Sequence, residues 1–405
     1  MLKYIERGLN LLHLGEKLTG ARASNLDELL LRIAQRPRLR EAFDPSKHGG
    51  SAYIVSGGPR DWEVATKELH AADCEIRGYH DLSGTCASTT FKERPVYRRL
   101  KDAPSDVRVV LSHRPSKRQF SPCPPGLDRC LWLRPPGEKH QRMGADADVI
   151  RRLESRVFAF YASLADEPSR DAFASVLKAR MQGDAGFYLP SRHREYNFPM
   201  VRAEAGDIVI DGGAYDGDTA TLFAQQVGQH GAVLAIEPSA RNLNALMDRL
   251  RKDSITNVIP VYAALWSRAD SLAFDPDQGG SSAVTGKGSA RVPALAIDSI
   301  AQIYRLPRVD LIKLDVEGAE AEAIEGAQDT IRRFRPKLQI SVYHKRDDIV
   351  ALPEQLKPLL RDYRVYFAHH NFYHTESDVY AIPVERWARS RLGRAARRLA
   401  RSVRR

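Results

Sequence analysis

The sequence predicts an α/β protein whose C-terminal half is a doubly wound, mostly parallel sheet, preceded by a small degenerate α/β domain and helical segments. Three observations predict it. Strand-length apolar runs alternate with helix-length stretches across residues 201–383, the order that builds right-handed βαβ units. The run Ile208 to Ile210 empties into Asp211, Gly212, Gly213, Ala214, Tyr215, Asp216 and Gly217, a tight turn opening a helix. Two further runs, Ala232 to Ile236 and Val309 to Leu314, end in acids, Glu237 and Asp315.

The elements follow in order. Residues 1–50 predict amphipathic helices. The first carries Ile5, Leu9, Leu12 and Leu18 on one face; the second follows the cap residue Asn25, runs through Leu26, Leu29, Leu30 and Ile33, and stops near Pro37. Helices this short need a neighbour or a second copy of the chain to pack on, so a homo-oligomer is one expectation. Residues 51–135 predict a small Rossmann-like α/β domain, with strands at Ala52 to Val55, Cys74 to Tyr79 and Val107 to Leu111 and a helix at Trp62 to Leu69. Its first turn, Ser56 to Arg60, lacks the G-x-G-x-x-G spacing, and Pro59 removes an amide that would face phosphate. Such a domain is retained for packing or partner recognition, or else holds a second nucleotide. Prolines at 122, 124, 125, 135 and 136 mark a linker.

Residues 136–200 predict a helical linker and pocket cap. The span 146–183 places Val149, Leu153, Val157, Phe160, Tyr161 and Leu164 on one helical face. The aromatic lead-in His193 to Phe198 then either caps a pocket or packs under the sheet. Residues 201–383 predict strands at 207–211, 232–236, 258–262, 309–314 and 337–342, closed by an antiparallel pair near 364–368 and 378–382. The stretch Gly279 to Gly286 predicts a mobile loop over the site, since no Lys-Ser/Thr pair follows in P-loop spacing.

Composition restricts the function classes. The 43% hydrophobic and 28% charged residues are ordinary for a soluble globular chain. No stretch approaches the length of a membrane span, and the first residues lack a signal-peptide core. The four cysteines, at 74, 86, 123 and 130, show no zinc spacing and fit a reducing, cytoplasmic compartment. Of the net charge of +11, nine arginines lie between Arg386 and Arg405, with no acid among them. The basic character therefore belongs to residues 384–405, where Trp387, Leu392, Ala395, Ala396, Leu399 and Val403 recur at helical spacing. Such a helix suits an anionic membrane surface, giving a membrane-peripheral protein, or else stays solvated. Nucleic acid is disfavoured as a partner, because the remaining chain lacks interleaved aromatic and basic motifs.

The strand-end acids speak to a cofactor. In doubly wound sheets, ligands lie beyond the carboxyl ends of the strands, where Asp211, Glu237 and Asp315 gather. Glu237 can accept hydrogen bonds from ribose hydroxyls and would repel a 2′-phosphate. Three acids at one edge suit a sulfonium better than a pyrophosphate. The spacing D-x-G-x-x-x-G, in place of G-x-G-x-x-G, moves the expectation from a dinucleotide to S-adenosylmethionine.

The segments IDGGAYDGDT (210–219), AIEPSARN (235–242), DLIKLDVEGAEAEAIEGA (310–327), RPKLQISVYH (335–344) and VYAIP (379–383) resemble the FkbM-type S-adenosylmethionine-dependent methyltransferases. The resemblance covers residues 190–383, and its most specific string runs from Lys313 to Glu320. It implies a class I methyltransferase sheet with a closing hairpin. It also implies a cofactor site of Asp211, Gly212, Gly213, Ala214, Tyr215, Gly217, Asp218, Glu237, Pro238 and Asp315, and O-methylation of a sugar, glycan or secondary-metabolite hydroxyl. Tyr215 departs from the small residue usual at its position.

Methyl transfer needs alignment, and a hydroxyl acceptor also needs a base. Asp315, Glu317 and His344 stand at strand ends and are the catalytic candidates. The same three could ligate a divalent ion, but no tight spacing demands one and no metal is assigned. Glu320 reads as structural, Asp298 carries no chemistry, and Lys313, inside a strand, could pair with a buried carboxylate. Two competing functions remain: an NAD-dependent sugar-modifying oxidoreductase using the first domain, and a non-catalytic binding protein of methyltransferase fold.

Overall fold

A computed structural model describes residues 26–35, 42–43, 50–57, 59–81, 86–104, 106–111, 131–133, 146–183, 185–274, 290–371 and 374–389. The first predicted helix, Cys123 and Cys130, the proline stretches, the glycine-rich segment at 279–286 and the tail beyond Arg389 lie outside these residues. The chain divides into two compact units, one of residues 1–162, 170–195 and 369–376, the other of residues 163–169, 196–368 and 377–405.

In the first unit, helix α1 (Leu26–Gln35) follows Asn25, and the strands are β1 (Ala42–Phe43), β2 (Ala52–Gly57), β3 (Glu75–Asp81), β4 (Thr90–Phe91), β5 (Arg94–Tyr97), β6 (Arg108–Leu111) and β7 (Leu131–Leu133). They form one sheet in the order β1-β7-β6-β2-β3-β5-β4, parallel except where β4 meets β5. Helix α2 (Pro59–Ala71) begins on Pro59, whose missing amide costs nothing at a helix start. Its Trp62 is fully buried, with the rings of Tyr79 and Phe91 at 5.1 and 5.2 Å. The predicted strands stand; β1, β4, β5 and β7 are too short to leave a periodic signal. The single helix expected over 146–183 is three: α3 (Asp146–Arg152), α4 (Glu154–Ser163) and α5 (Glu167–Gln182). Cys74 and Cys86 are free thiols.

The second unit is built on β8 (Ile208–Gly212), α6 (Asp218–Val227), β9 (Ala232–Ile236), α7 (Ala240–Lys252) and β10 (Val258–Val261). Then come β11 (Ala264–Leu265), β12 (Asp270–Phe274), β13 (Ala290–Leu295), α8 (Ile297–Ile303), β14 (Leu311–Leu314), α9 (Glu320–Glu325), α10 (Gln328–Phe334) and β15 (Lys337–Ser341). The unit ends with α11 (Asp348–Leu356), β16 (Tyr363–His369), β17 (Ser377–Pro383) and α12 (Val384–Arg389). The main sheet runs β10-β9-β8-β14-β15-β17-β16. Its first five strands are parallel, and β17 inserts antiparallel beside β15. Every residue of β14, β15 and β17 is buried, as expected of strands covered on both faces. A three-stranded side sheet, β11-β13-β12, was not expected from the sequence.

The strand order reverses between β8 and β14, which opens the crevice where doubly wound sheets hold ligands. Residues 196–207, ahead of β8, satisfy buried polar groups of β15. The Gln339 amide donates to the carbonyls of Tyr196 and Val201 at 3.3 and 3.2 Å. The Lys337 amine meets Asp207 at 2.6 Å and the Arg202 carbonyl at 2.8 Å. Phe198 stacks on Tyr380 with ring centroids 4.8 Å apart.

Helix α12 is the described start of the basic tail. Arg386 donates to Asp310 at 2.9 Å and to the carbonyls of Phe334 and Arg335, which end α10. Trp387 is half-buried, under the Arg364 guanidinium at 4.3 Å. Two residues expected on a surface-seeking tail thus pack on the unit itself. No helix among the described residues is long and apolar enough to cross a membrane.

Candidate functional site

The crevice is organised around a buried ammonium. Lys313, in the middle of β14, is fully buried, and its Nζ meets Asp211 Oδ1 at 3.2 Å and the carbonyls of Gly212 and Gly213 at 3.0 and 2.8 Å. All three of its donors are matched. Asp211 is also fully buried, and its second oxygen accepts the Thr219 hydroxyl at 2.7 Å. Burial pushes the Asp211 carboxyl up, opposed by Lys313; for Lys313 burial favours the neutral amine, and the Asp211 and Asp315 carboxylates outweigh it, raising its pKa. Asp211 therefore ties the turn to β14 and α6 from within.

The turn itself is wired to β9. The amides of Gly213 and Ala214 both donate to the Ile236 carbonyl at 3.0 Å, and the amide of Tyr215 donates to Glu237 Oε2 at 3.0 Å. Three successive amides are thus consumed inside the protein, so they form no nest for a pyrophosphate. Gly213, with φ of 75°, lies so close to the Asp315 carbonyl that no Cβ fits. Tyr215 holds a left-handed conformation, φ 48°, and its side chain is exposed. Gly217 sits at the N-cap of α6, with Asp218 half-buried in its first turn. Pro238 is half-buried between Glu237 and Ser239.

Glu237 is 5% exposed and accepts from the Tyr215 amide, the Ser239 amide at 2.9 Å and the Asn242 side chain at 3.2 Å. Burial pushes its carboxyl up, against these hydrogen bonds. Of a carboxylate's four acceptor directions, these hydrogen bonds use three and leave one on Oε2.

Across the switch point stands a second cluster. Asp315, just past β14, accepts the Tyr196 hydroxyl at 2.9 Å and the Tyr343 hydroxyl at 3.1 Å. His344, just past β15, places Nε2 at 3.4 Å from both Asp315 Oδ1 and Glu317 Oε2, and Nδ1 at 2.9 Å from Glu320 Oε1. Glu320, almost fully buried, accepts the amides of Val316 and Gly318 at 2.8 and 3.1 Å. Glu317 and Gly318 are both left-handed, φ 53° and 97°, which turns the chain sharply between strand and helix. For a glutamate that conformation is strained by about 1 to 3 kcal/mol. Burial alone would lower the His344 pKa; the carboxylates of Glu320, Asp315 and Glu317 outweigh it and push it up to about 9.

The structure therefore brings together Asp315, Glu317 and His344, which the sequence offered as separate candidates. Tyr343, Thr219 and Asn242 lie within the motif segments but had been given no role, and Tyr196 lies in none of them. Tyr196 stood in the aromatic lead-in, where its pairing with Asp315 had no local signal. Asp298 accepts the amides of Asp329 and Thr330 and so caps α10.

Residues 211–372 match the methyltransferase FkbM domain. A hexuronic acid methyltransferase, AglP, from Haloferax volcanii is 26% identical over 136 residues, 33% of this chain and 55% of that protein. The chain thus spans about half the length of this curated relative. The crystal structure of the methyltransferase FkbM from Methylobacillus flagellatus KT is similar in fold, with a TM-score of 0.52 and 18% identity, over 88% of this chain and 98% of that one.

Proposed function

With residues 211–372 matched to the methyltransferase FkbM domain, we propose that the protein transfers a methyl group from S-adenosylmethionine to a hydroxyl of a sugar or glycan. The observation that carries this reading is the wiring of the glycine turn. Its amides at 213, 214 and 215 are satisfied by β9, while Glu237 and Asp315 place negative charge at the crevice. That field suits a sulfonium and an adenosine ribose and disfavours a pyrophosphate, which also weighs against a nicotinamide dinucleotide at this site. The hexuronic acid methyltransferase AglP supports a sugar acceptor by its name.

In the proposed reaction an acceptor oxygen attacks the methyl carbon from the side opposite sulfur. The new C–O bond forms as the C–S bond breaks, and sulfur keeps the electron pair as the thioether of S-adenosylhomocysteine. The hydroxyl proton passes to a carboxylate, for which Glu317 and Asp315 beside His344 are the candidates. Protonated His344 serves as a neighbouring positive charge for the developing alkoxide. Alignment of oxygen, carbon and sulfur contributes about 7 kcal/mol or more, and base assistance roughly 10²- to 10⁴-fold.

Calorimetry with S-adenosylmethionine, S-adenosylhomocysteine and NAD tests the cofactor, comparing the protein with Glu237→Gln. The amide places a donor against inward-facing N–H groups and is expected to weaken adenosylmethionine about 10- to 100-fold. Binding of NAD in preference, or binding indifferent to Glu237, would sink the proposal. Labelled methyl transfer to uronic-acid glycans then tests the acceptor.

A further inference from the structure

The geometry points to a divalent-cation site formed by Asp315, Glu317 and His344. Their ligand atoms lie within 4.8 Å of one another, and among the described residues no other histidine, cysteine or carboxylate group gathers this way. Two edges of the triangle, from His344 Nε2 to each carboxylate, measure 3.4 Å. Ligands bound at about 2.1 Å stand about 3.0 to 3.5 Å apart between octahedral and tetrahedral angles, the spacing that the two histidine edges already have.

The imidazole supplies an independent reason. The His344 side chain is only 8% exposed, and its Nε2 makes no hydrogen bond although it is aimed between the two carboxylates. Its other nitrogen faces Glu320, which two backbone amides hold in place. A carboxylate on the far side of a histidine is the usual support of a metal-bound imidazole, because it fixes the ring; an ion entering between the carboxylates would displace the proton that His344 otherwise carries and take the Nε2 lone pair. Tyr196 and Tyr343 brace Asp315 in the same manner. Two carboxylate oxygens and one imidazole suit Mn²⁺ or Mg²⁺ over the thiolate-seeking metals, and leave coordination positions open for water or vicinal hydroxyls. An ion there would draw an acceptor hydroxyl toward ionisation. That catalytic role rests on the proposed methyl transfer; the binding itself does not.

The full-length protein, stripped with chelator and without any cofactor, is titrated with Mn²⁺ under electron paramagnetic resonance. A single tight site per chain is expected, with pulsed spectra showing nitrogen coupling from an imidazole. Glu317→Gln lies on a half-exposed turn and should fold; it is expected to weaken Mn²⁺ at least about tenfold, and Glu320→Gln roughly 10- to 100-fold. Asp329→Asn, a remote exposed acid, should leave the affinity unchanged, and melting curves verify that each variant is folded. Binding without nitrogen coupling, binding indifferent to Glu317, or no binding would overturn the site and leave an ion-paired cluster only. Calorimetry with S-adenosylmethionine on the same stripped protein separates the two ideas: cofactor binding without Mn²⁺ binding refutes the metal site alone, and the converse refutes the proposed cofactor.

Discussion

Replacing Lys313 by methionine tests how the glycine turn is held. The substitution keeps the length of the side chain and removes its charge. Three oxygens then lose their donor: Asp211 Oδ1 and the carbonyls of Gly212 and Gly213. Breaking a buried pair from one side costs about 3–5 kcal/mol, chiefly because the remaining charge is stranded. For a unit of this size each kcal/mol is worth roughly 2–4 °C, so the melting temperature should fall by roughly 6–20 °C. The stranded Asp211 carboxyl would bind its proton more tightly folded than unfolded. The variant's deficit should therefore shrink as pH falls toward the ordinary carboxylate range and grow as pH rises. Combining Lys313→Met with Asp211→Asn removes the stranded charge and should recover at least half of the lost stability. Cofactor affinity, measured by calorimetry, should stay depressed, since the two glycine carbonyls are still untied. A single variant within about 1 kcal/mol of the parent, or a double variant no better than the single, would refute this account of the turn.

Three other outcomes are expected. Gly213→Ala should cost roughly 2 kcal/mol or more in urea unfolding and abolish cofactor binding, because its Cβ would strike the Asp315 carbonyl at a left-handed backbone position. His370, buried with Nδ1 at 3.1 Å from the His193 carbonyl, is pushed by burial down to about 4. Neutral His370 is therefore favoured in the fold, so stability should be lost as pH falls from about 6.5 through about 4, by on the order of 3 kcal/mol, and His370→Gln should flatten that slope in unfolding curves. Ending the chain after Pro383 removes Arg386 from buried Asp310 and should cost about 1.5–3 kcal/mol in unfolding free energy.

The main sheet was legible because each strand of a doubly covered sheet is a near-continuous apolar run, as at Leu311 to Leu314 and Leu338 to Ile340. The side sheet was not, since β11 has two residues and β12 opens on Asp270 and Ser271 at its exposed end. The break between α4 and α5 was hidden because Leu164 and Ala165 keep the helical apolar rhythm while Asp166 caps a new start, accepting the Ser169 amide at 3.0 Å. Within the site, Glu237, Asp315, Glu317 and His344 announced themselves by standing at strand ends. Their roles did not, because a role depends on partners far along the chain: Tyr196 reaches Asp315, and Glu320, with Asp315 and Glu317, pushes the His344 pKa up. Asp211 was legible as important, but only its burial beside Lys313 shows that it faces inward.

The residues that satisfy β15 from ahead of β8 bear on where this domain begins. The match to the FkbM domain starts at Asp211, yet a domain transplanted from that point would leave the Gln339 amide and the Lys337 amine facing emptied space. Asp315 would keep only one of its two phenol donors. The portable module is therefore longer than the inherited motif: its physical border lies at Tyr196 or earlier, and chimeras that exchange acceptor specificity between such enzymes would have to be spliced upstream of that residue to carry a working site with them.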